Sequence, residues 1–206
     1  MPRLSVQQIE EAVVQGIECA QKKYLNWALL TLSSAPEYFI TMNVAEQIMA
    51  LDGAKYLTLE YNAKYTLEDA GAMKRGRLPK DLRADGRVDI VLWYGKDEPR
   101  AIIEIKKFAY DSKQNEKDFL RIKKMLQYNP INSSLQFGIF AYYDEAEDGI
   151  RKTAHQTLEG KDKRIRLEIK KYFGDEFIVS SSFQIIPEKD YSWSTGCFLI
   201  RPKPNR

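Results

Sequence analysis

The sequence predicts a single α/β domain built around a mixed β-sheet. Apolar residues recur at helical spacing near the start of the chain, in segments 5–32 and 36–53, and again in segment 113–128. From residue 55 onward, other segments show alternating or continuous apolar residues, which is typical of strands. With 206 residues, of which 44% are hydrophobic and 30% charged, the chain has the size and composition of one globular domain. These observations favour a sheet flanked by helices.

The first two helices have recognisable start and stop signals. Ile9 and Val13 lie four residues apart on the predicted buried face, and Ser5 precedes them as a candidate N-cap. The second helix is predicted to begin at Pro36, which suits a first helical turn, and to end at Gly53. A helical start to the chain is therefore expected.

The middle of the chain predicts strands. Segments 55–61, 87–94 and 100–108 alternate or are rich in β-branched residues, and the turn at 95–99 joins the last two into a hairpin. A polar connection is expected over 62–86. Segment 135–143 is almost continuously apolar, which predicts a central strand buried on both faces.

The last third of the chain is expected to complete the sheet. Segment 161–173 fits a basic amphipathic helix, although its apolar residues also alternate. Two closing strands are predicted over 176–186 and 193–202. The whole chain, 1–206, is interpreted as one domain.

The scarcity of histidine and cysteine excludes several classes of site. His155 is the one histidine, and Cys19 and Cys197 are the two cysteines, so the composition argues against a zinc site and excludes a disulfide scaffold. A cytoplasmic protein with free thiols is expected. No apolar run approaches the ~20 residues needed to cross a bilayer, and the first residues lack a secretory apolar core, so no membrane association is expected.

Positive charge is concentrated in segment 74–87, although the net charge of the chain is only +3. The segment carries six basic residues against Asp81 and Asp85. A basic loop of this kind can follow a phosphate backbone, whereas a solvated surface loop is the structural alternative. The candidate nucleic-acid-binding residues here are Lys74, Arg75, Arg77, Lys80, Arg83 and Arg87.

The predicted hairpin carries a cluster of charged residues. Residues two apart in a strand share a face, so Glu104 and Lys106 point the same way, and a turn centred near Asp97 places Asp89 opposite them. Two carboxylates packed in a partly buried strand repel each other unless a cation lies between them. Mg²⁺ takes oxygen ligands and needs only one or two protein carboxylates, and a nearby lysine can orient an attacking water.

The pattern Asp89…Glu104-x-Lys106 resembles the motif of the PD-(D/E)xK nuclease superfamily, which has a restriction-endonuclease-like fold. The resemblance implies a core of a helix, a three-stranded meander, a second helix and a further parallel strand, and residues 36–143 supply those elements in that order. Segment 1–35 is then a helical N-terminal extension and segment 144–206 a β-rich C-terminal addition. The motif begins Val88-Asp89, without the usual proline, but keeps the carboxylate.

The sequence offers two alternatives to this assignment. The same tetrapeptide recurs from Glu168 to Lys171, but no strand with an inward aspartate and no hairpin turn precede it there. The hairpin could also present its charged face to solvent. However, both faces of strand 87–94 are mostly apolar, which leaves no favourable solvent-facing position for Asp89.

Family members commonly add a helix-borne glutamate to the metal site. Glu37 and Glu46 are nine residues apart and lie on opposite faces of the second predicted helix, so only one can face the sheet. Glu37 shares its face with the apolar stripe and is preferred, although it could simply complement the helix dipole. By the same resemblance, the backbone carbonyl of Ile105 is expected to be a further metal ligand.

Four other charged or titratable residues are weaker candidates for a role at the site. Glu60 could add a carboxylate or lie on the surface. Asp118 and Arg121, one turn apart on the helix after the hairpin, could form a salt bridge, or Arg121 could bind phosphate near the site. His155 is expected at a solvated position.

The resemblance and the residues together imply a Mg²⁺-dependent nuclease that acts on DNA, with Mn²⁺ as a substitute metal. Asp89, Glu104 and Lys106 are the candidate catalytic residues, and Lys106 would position or deprotonate the attacking water. A catalytically silent module that binds nucleic acid or a partner is the alternative. Cutting both strands of a duplex needs two sites, so a homodimer is an open expectation, with segment 1–35 as the candidate interface.

Overall fold

A mixed β-sheet with helices on both faces organises the structure, a computed structural model that describes residues 4–53, 55–95, 97–109 and 112–204. The helices are α1 (Val6–Ala28), α2 (Glu37–Ala50), α3 (Ala63–Asp69), α4 (Ser112–Gln127) and α5 (Ala154–Phe173). The strands are β1 (Lys55–Asn62), β2 (Arg87–Tyr94), β3 (Glu98–Lys107), β4 (Phe137–Glu147), β5 (Phe177–Pro187) and β6 (Tyr191–Pro202). Short 3₁₀ turns lie at Leu32–Ser34, Lys80–Leu82 and Gly174–Glu176.

The sheet has the strand order β1-β2-β3-β4-β6-β5 across the described part of the chain. Strands β3 and β4 are parallel, whereas each other neighbouring pair is antiparallel. A parallel pair needs a crossover, and α4 provides it. The carboxyl ends of β3 and β4 therefore meet at the same edge of the sheet. The predicted α/β class with a mixed sheet flanked by helices is confirmed.

Two apolar layers hold the helices on the sheet. On one face, α1 and α2 pack their buried residues, such as Ile17 and Val44, against the sheet. On the other face, α4 and α5 contribute Phe119 and Ile165 to a second buried cluster. Because both faces are covered, the central strands β3 and β4 are almost continuously buried, as their apolar composition predicts.

The sequence predicts β2 with its observed bounds, but it misses a short helix and places the start of the C-terminal helix too late. The expected polar connection at 62–86 contains α3, which begins where the Asn62 side chain accepts hydrogen bonds from the backbone of Lys64 and Tyr65. The C-terminal helix begins at Ala154 rather than 161, because Thr153 and Gln156 form a capping box ahead of it.

The long helices are amphipathic rather than uniformly apolar. Helix α1 buries Ile9, Val13 and Ile17 on one side, and α5 buries Ile165 and Ile169. Neither these helices nor any other in the described ranges combines the length and apolar character required to cross a membrane.

The contact between α1 and α2 depends on the absence of a side chain at Gly16. A Cβ atom at this position would lie 2.4 Å from the Cα of Val44, which is backbone and cannot turn aside. We expect Gly16→Ala to lower the free energy of unfolding by about 1–3 kcal/mol or more, because the two helices must separate. Urea denaturation measures this change.

Gly160→Ala is the matched control for this substitution. Gly160 lies inside α5, and a Cβ there would meet nothing within 4 Å. Alanine should therefore stabilise α5 by up to about 1 kcal/mol through its higher helix propensity. Equal effects of the two substitutions would contradict the role assigned to Gly16.

Candidate active site

Strands β2 and β3 bring Asp89 and Glu104 together, as the hairpin predicts. Ile90 pairs with Ile103, and Asp89 and Glu104 are the next residues beyond that pair on their respective strands. The Oδ2 atom of Asp89 accepts a hydrogen bond of 2.7 Å from the backbone N–H of Ile105. Both carboxylates therefore lie at the carboxyl end of β3, beside the edge shared with β4.

Helix α2 brings Glu37, and not Glu46, to this edge. Glu37 is the first residue of α2; its Oε1 lies 3.2 Å from Nζ of Lys106, and its Oε2 accepts a 2.8 Å hydrogen bond from the backbone N–H of Lys107. The Lys107 side chain in turn donates to the carbonyls just before α2, at Ser33 (2.7 Å) and Ala35. Glu46 is exposed and pairs with Lys23 on α1.

Helix α4 adds Asp118 and Arg121 from the other face of the sheet. The Nη1 atom of Arg121 donates to Oε1 of Glu104 at 2.8 Å, and Nη2 lies 3.4 Å from Oδ1 of Asp118. The other oxygen of Asp118 is 3.2 Å from Nζ of Lys106. These contacts connect five residues of alternating sign, which we call the charge chain: Glu104, Arg121, Asp118, Lys106 and Glu37.

The charge chain shows which of the expected contacts Asp118 and Arg121 make. The two residues do form a salt bridge, and Arg121 also contacts Glu104 and the backbone carbonyl of Arg87. The Arg121 side chain is only 7% exposed, so its contacts in this structure are with protein groups. A contact with phosphate stays a prediction.

Negative charge exceeds positive charge around Asp89 and the charge chain. Among the described residues, the four carboxylates of this cluster face the two cations Lys106 and Arg121, which leaves two negative charges when all groups are ionised. Burial raises the pKa of Asp89 to about 6, although the Ile105 N–H and the Lys106 charge act in the opposite direction. The cluster thus holds carboxylates that would be stabilised by additional positive charge.

Glu104 and Lys106 respond to the same surroundings in different ways. Burial and then the charge of Asp89 raise the pKa of Glu104 well above its usual range, despite the nearby Arg121. Burial alone would lower the pKa of Lys106, but Asp118, Glu37 and the other carboxylates outweigh it and raise that pKa. Lys106 is therefore an ammonium ion at neutral pH.

The donor set suits a hard divalent cation held by two protein carboxylates. Across the described ranges, no group of three or more acidic, histidine or cysteine side chains is arranged to hold a metal ion. Mg²⁺, however, is commonly bound through one or two carboxylates and several waters. Asp89 and Glu104 meet that requirement, and the excess of two negative charges equals the charge of one such ion.

Ile105 lies between two residues of the motif. Its buried side chain packs with the apolar layer beneath α1 and α2, and its N–H binds Asp89. Because that side chain occupies the face opposite Glu104 and Lys106, only the backbone of Ile105 is available to the cluster. A ligand role for the Ile105 carbonyl stays a prediction.

The basic segment leads directly to this cluster. Lys74, Arg75, Arg77, Lys80, Arg83 and Arg87 are all exposed. Leu82 is fully buried beneath the segment, and the backbone carbonyls of Ala84 and Gly86 accept hydrogen bonds from α3. The segment ends at Arg87, whose carbonyl receives the guanidinium of Arg121.

The remaining candidate residues lie away from the cluster. Glu60 is exposed, has a φ of 52°, and interrupts the ladder between β1 and β2. The second copy of the motif, from Glu168, lies on helix α5, where the spacing of two residues does not bring side chains to one face. His155, with a side chain 61% exposed, also lies on α5, within 3.9 Å of Glu159.

Sequence reasoning missed a second buried ion pair near the same edge. Asp144 is fully buried at the end of β4 and pairs with Lys161 of α5, which also donates to the carbonyl of Glu145 at 3.1 Å. The apolar run 135–143 predicts a strand that ends at Tyr143, whereas β4 continues through Asp144 to Glu147. The salt bridge could have been anticipated only from the packing of α5.

Asp89 should make the stability of the protein depend on pH. Its pKa of about 6 in the folded state exceeds the ordinary value of 3.8, so the protonated carboxyl group stabilises the folded state. This contribution to the free energy of unfolding is fully present below about pH 4 and is lost as the pH rises through 6. The expected loss is roughly 2 kcal/mol between pH 4.5 and 7.5. Urea unfolding in EDTA measures it, and Asp89→Asn should remove most of this component. An unchanged pH dependence in Asp89→Asn would contradict the assignment.

Comparison of the chain with protein-family models, with curated proteins and with solved structures finds no match in any of the three. The resemblance to the nuclease superfamily therefore depends on the residues and the geometry described above.

Proposed function

We propose that this protein is a divalent-metal-dependent nuclease that hydrolyses phosphodiester bonds of DNA. The observation that carries the proposal is the cluster at the carboxyl end of β3, where the buried carboxyl group of Glu104 and the partly buried one of Asp89 lie beside Lys106. When all groups are ionised, the cluster carries two negative charges in excess among the described residues. Buried carboxylates with raised pKa values beside a fixed cation are typical of sites that bind or transform a ligand.

The element order supports a restriction-endonuclease-like core within residues 36–143. Helix α2, the meander β1-β2-β3, helix α4 and the parallel strand β4 occur in the order expected for that fold, with α3 inserted between β1 and β2. Helix α1 then belongs to the N-terminal extension 1–35. The addition 144–206 supplies α5, β5 and β6, which extend the sheet beyond β4.

Each residue has a distinct proposed role. Asp89 and Glu104 would hold Mg²⁺ or Mn²⁺, with Glu37 and the carbonyl of Ile105 as further ligands. Such an ion would stabilise the negative charge that develops on the phosphoryl oxygens. Lys106 would position or deprotonate the attacking water; the surrounding carboxylates raise its pKa, which favours an ammonium that donates a hydrogen bond to an anionic oxygen.

The basic segment supports a nucleic-acid substrate. Its six exposed cations lie on one continuous stretch that ends beside Arg121, which itself contacts Glu104. A bound phosphate backbone would release counterions from this stretch, so binding should weaken steeply with salt. DNA is proposed as the substrate because the motif resembles that of deoxyribonucleases.

A catalytically silent binding module is the second candidate, and one observation favours it. Arg121 and Lys106 already pair with Glu104, Asp118 and Glu37, so much of the cluster is compensated within the chain. Such a module would bind DNA through the basic segment without cleaving it. Salt-sensitive binding with no cleavage in any metal would support this second candidate.

Metal-dependent cleavage distinguishes the two candidates. Plasmid, linear duplex and single-stranded DNA, with RNA for comparison, would be incubated with the protein in Mg²⁺, Mn²⁺ or EDTA. We expect cleavage in either metal, none in EDTA, and a loss of at least about 100-fold in Lys106→Ala and Asp89→Ala, because each removes a group that acts on the reacting atoms.

Lys170→Ala is the matched control for Lys106→Ala. Lys170 belongs to the second copy of the motif and is exposed on α5, so its removal should leave cleavage at the wild-type rate. Full activity in Asp89→Ala, or equal losses in the Lys106 and Lys170 variants, would contradict the proposed site.

A further inference from the structure

Lys106 has two carboxylate partners that differ in accessibility. Its Nζ lies 3.2 Å from Oε1 of Glu37 and 3.2 Å from Oδ2 of Asp118. The Asp118 side chain is 6% exposed, whereas that of Glu37 is 39% exposed. An ion arriving from solvent can therefore reach Glu37 directly but must displace protein to reach Asp118.

The two partners also differ in how firmly they are held. Both carboxylate oxygens of Asp118 contact cations, since Oδ1 pairs with Arg121 and Oδ2 pairs with Lys106. Arg121 is fixed in turn by Glu104 and by the backbone carbonyl of Arg87. Asp118 is thus part of a buried network whose members hold one another in place.

Glu37 is less constrained on its outer side. Its Oε2 accepts from the backbone N–H of Lys107, and its Oε1 is paired with the flexible end of the Lys106 side chain. Replacing that ammonium with another cation would leave the backbone hydrogen bond intact. Glu37 is therefore the carboxylate of the cluster that can exchange the Lys106 ammonium for another cation with the smallest loss of protein contacts.

We propose that Lys106 competes with the divalent cation for Glu37, and that Asp118 is the positioning residue that keeps the Lys106 ammonium at the site when Glu37 changes partner. This inference rests on the proposed metal-dependent function. Lys106 is thus the internal counter-ion of the cluster before metal binds. Afterwards it retains one carboxylate partner and has a hydrogen-bond donor to offer an anionic oxygen of the substrate.

A double-mutant cycle on metal affinity tests the competition without measuring catalysis. The affinity for Mn²⁺, and for Ca²⁺ in parallel, would be measured by isothermal titration calorimetry for wild type, Lys106→Met, Glu37→Gln and the double variant. We expect Lys106→Met to bind Mn²⁺ at least 10-fold more tightly than wild type, but less than 3-fold more tightly than its parent in the Glu37→Gln background, because the contested carboxylate is then gone.

The cycle separates competition at Glu37 from a general charge effect. Equal tightening in both backgrounds would show that Lys106 acts only through its charge, and would overturn the inference. Unchanged affinity in Lys106→Met would overturn it as well, while the metal site would stand. Absence of measurable Mn²⁺ and Ca²⁺ binding in every variant would instead remove the proposed function itself.

Asp118→Asn gives a second, independent measurement. Without the Asp118 charge, Glu37 is the one ion-pair partner of Lys106 that remains among the described residues. The Lys106 ammonium should then hold Glu37 more strongly. We expect Mn²⁺ to bind about 5-fold more weakly than in wild type, and Lys106→Met should tighten Mn²⁺ binding by a larger factor in this variant than in wild type. A merely structural role for Asp118 predicts the same factor in both backgrounds, and that result would overturn the positioning role.

Discussion

The burial of two carboxylates on adjacent strands is the constraint on which the rest of the site depends. Asp89 and Glu104 lie next to the paired residues Ile90 and Ile103, in a sheet that helices cover on both faces. Charges in such a place are costly unless donors and cations surround them. The N–H of Ile105, the guanidinium of Arg121 and the ammonium of Lys106 supply part of that compensation. Because this compensation is incomplete, burial still raises the pKa of Asp89.

The crossover between the parallel strands supplies one of these compensating groups, the guanidinium of Arg121. Helix α4 must pass over the sheet to connect β3 with β4, and this path places Asp118 and Arg121 above Glu104 and Lys106. Helix α2 approaches the same edge from the other layer and presents Glu37 at its first turn. The site thus joins two layers of the fold at the ends of its central strands, the usual position of ligand sites in open α/β sheets.

Local patterns explain which parts of the structure could be predicted from the sequence. The alternation in 87–94 and the turn near Asp97 depend on neighbouring residues, so β2 and the approach of Asp89 to Glu104 are predictable. Helical angles also separate Glu37 from Glu46. By contrast, the pairing of Arg121 with Glu104 depends on how α4 crosses the sheet, which no local pattern specifies. Helix α3, with seven residues, is too short for a clear periodic signal.

The alternation of sign along the charge chain also restricts how this chain can diverge. Each member is the counter-ion of its neighbour, so a single replacement removes one partner from at least one opposite charge that lies largely out of solvent. Neighbouring members can be exchanged together at lower cost, but Glu104 and Lys106 have proposed roles in the reaction. Descendants of this chain that keep the activity should therefore vary at Asp118 and Arg121 as a linked pair. Such correlated substitutions in α4 would be visible in a set of related sequences.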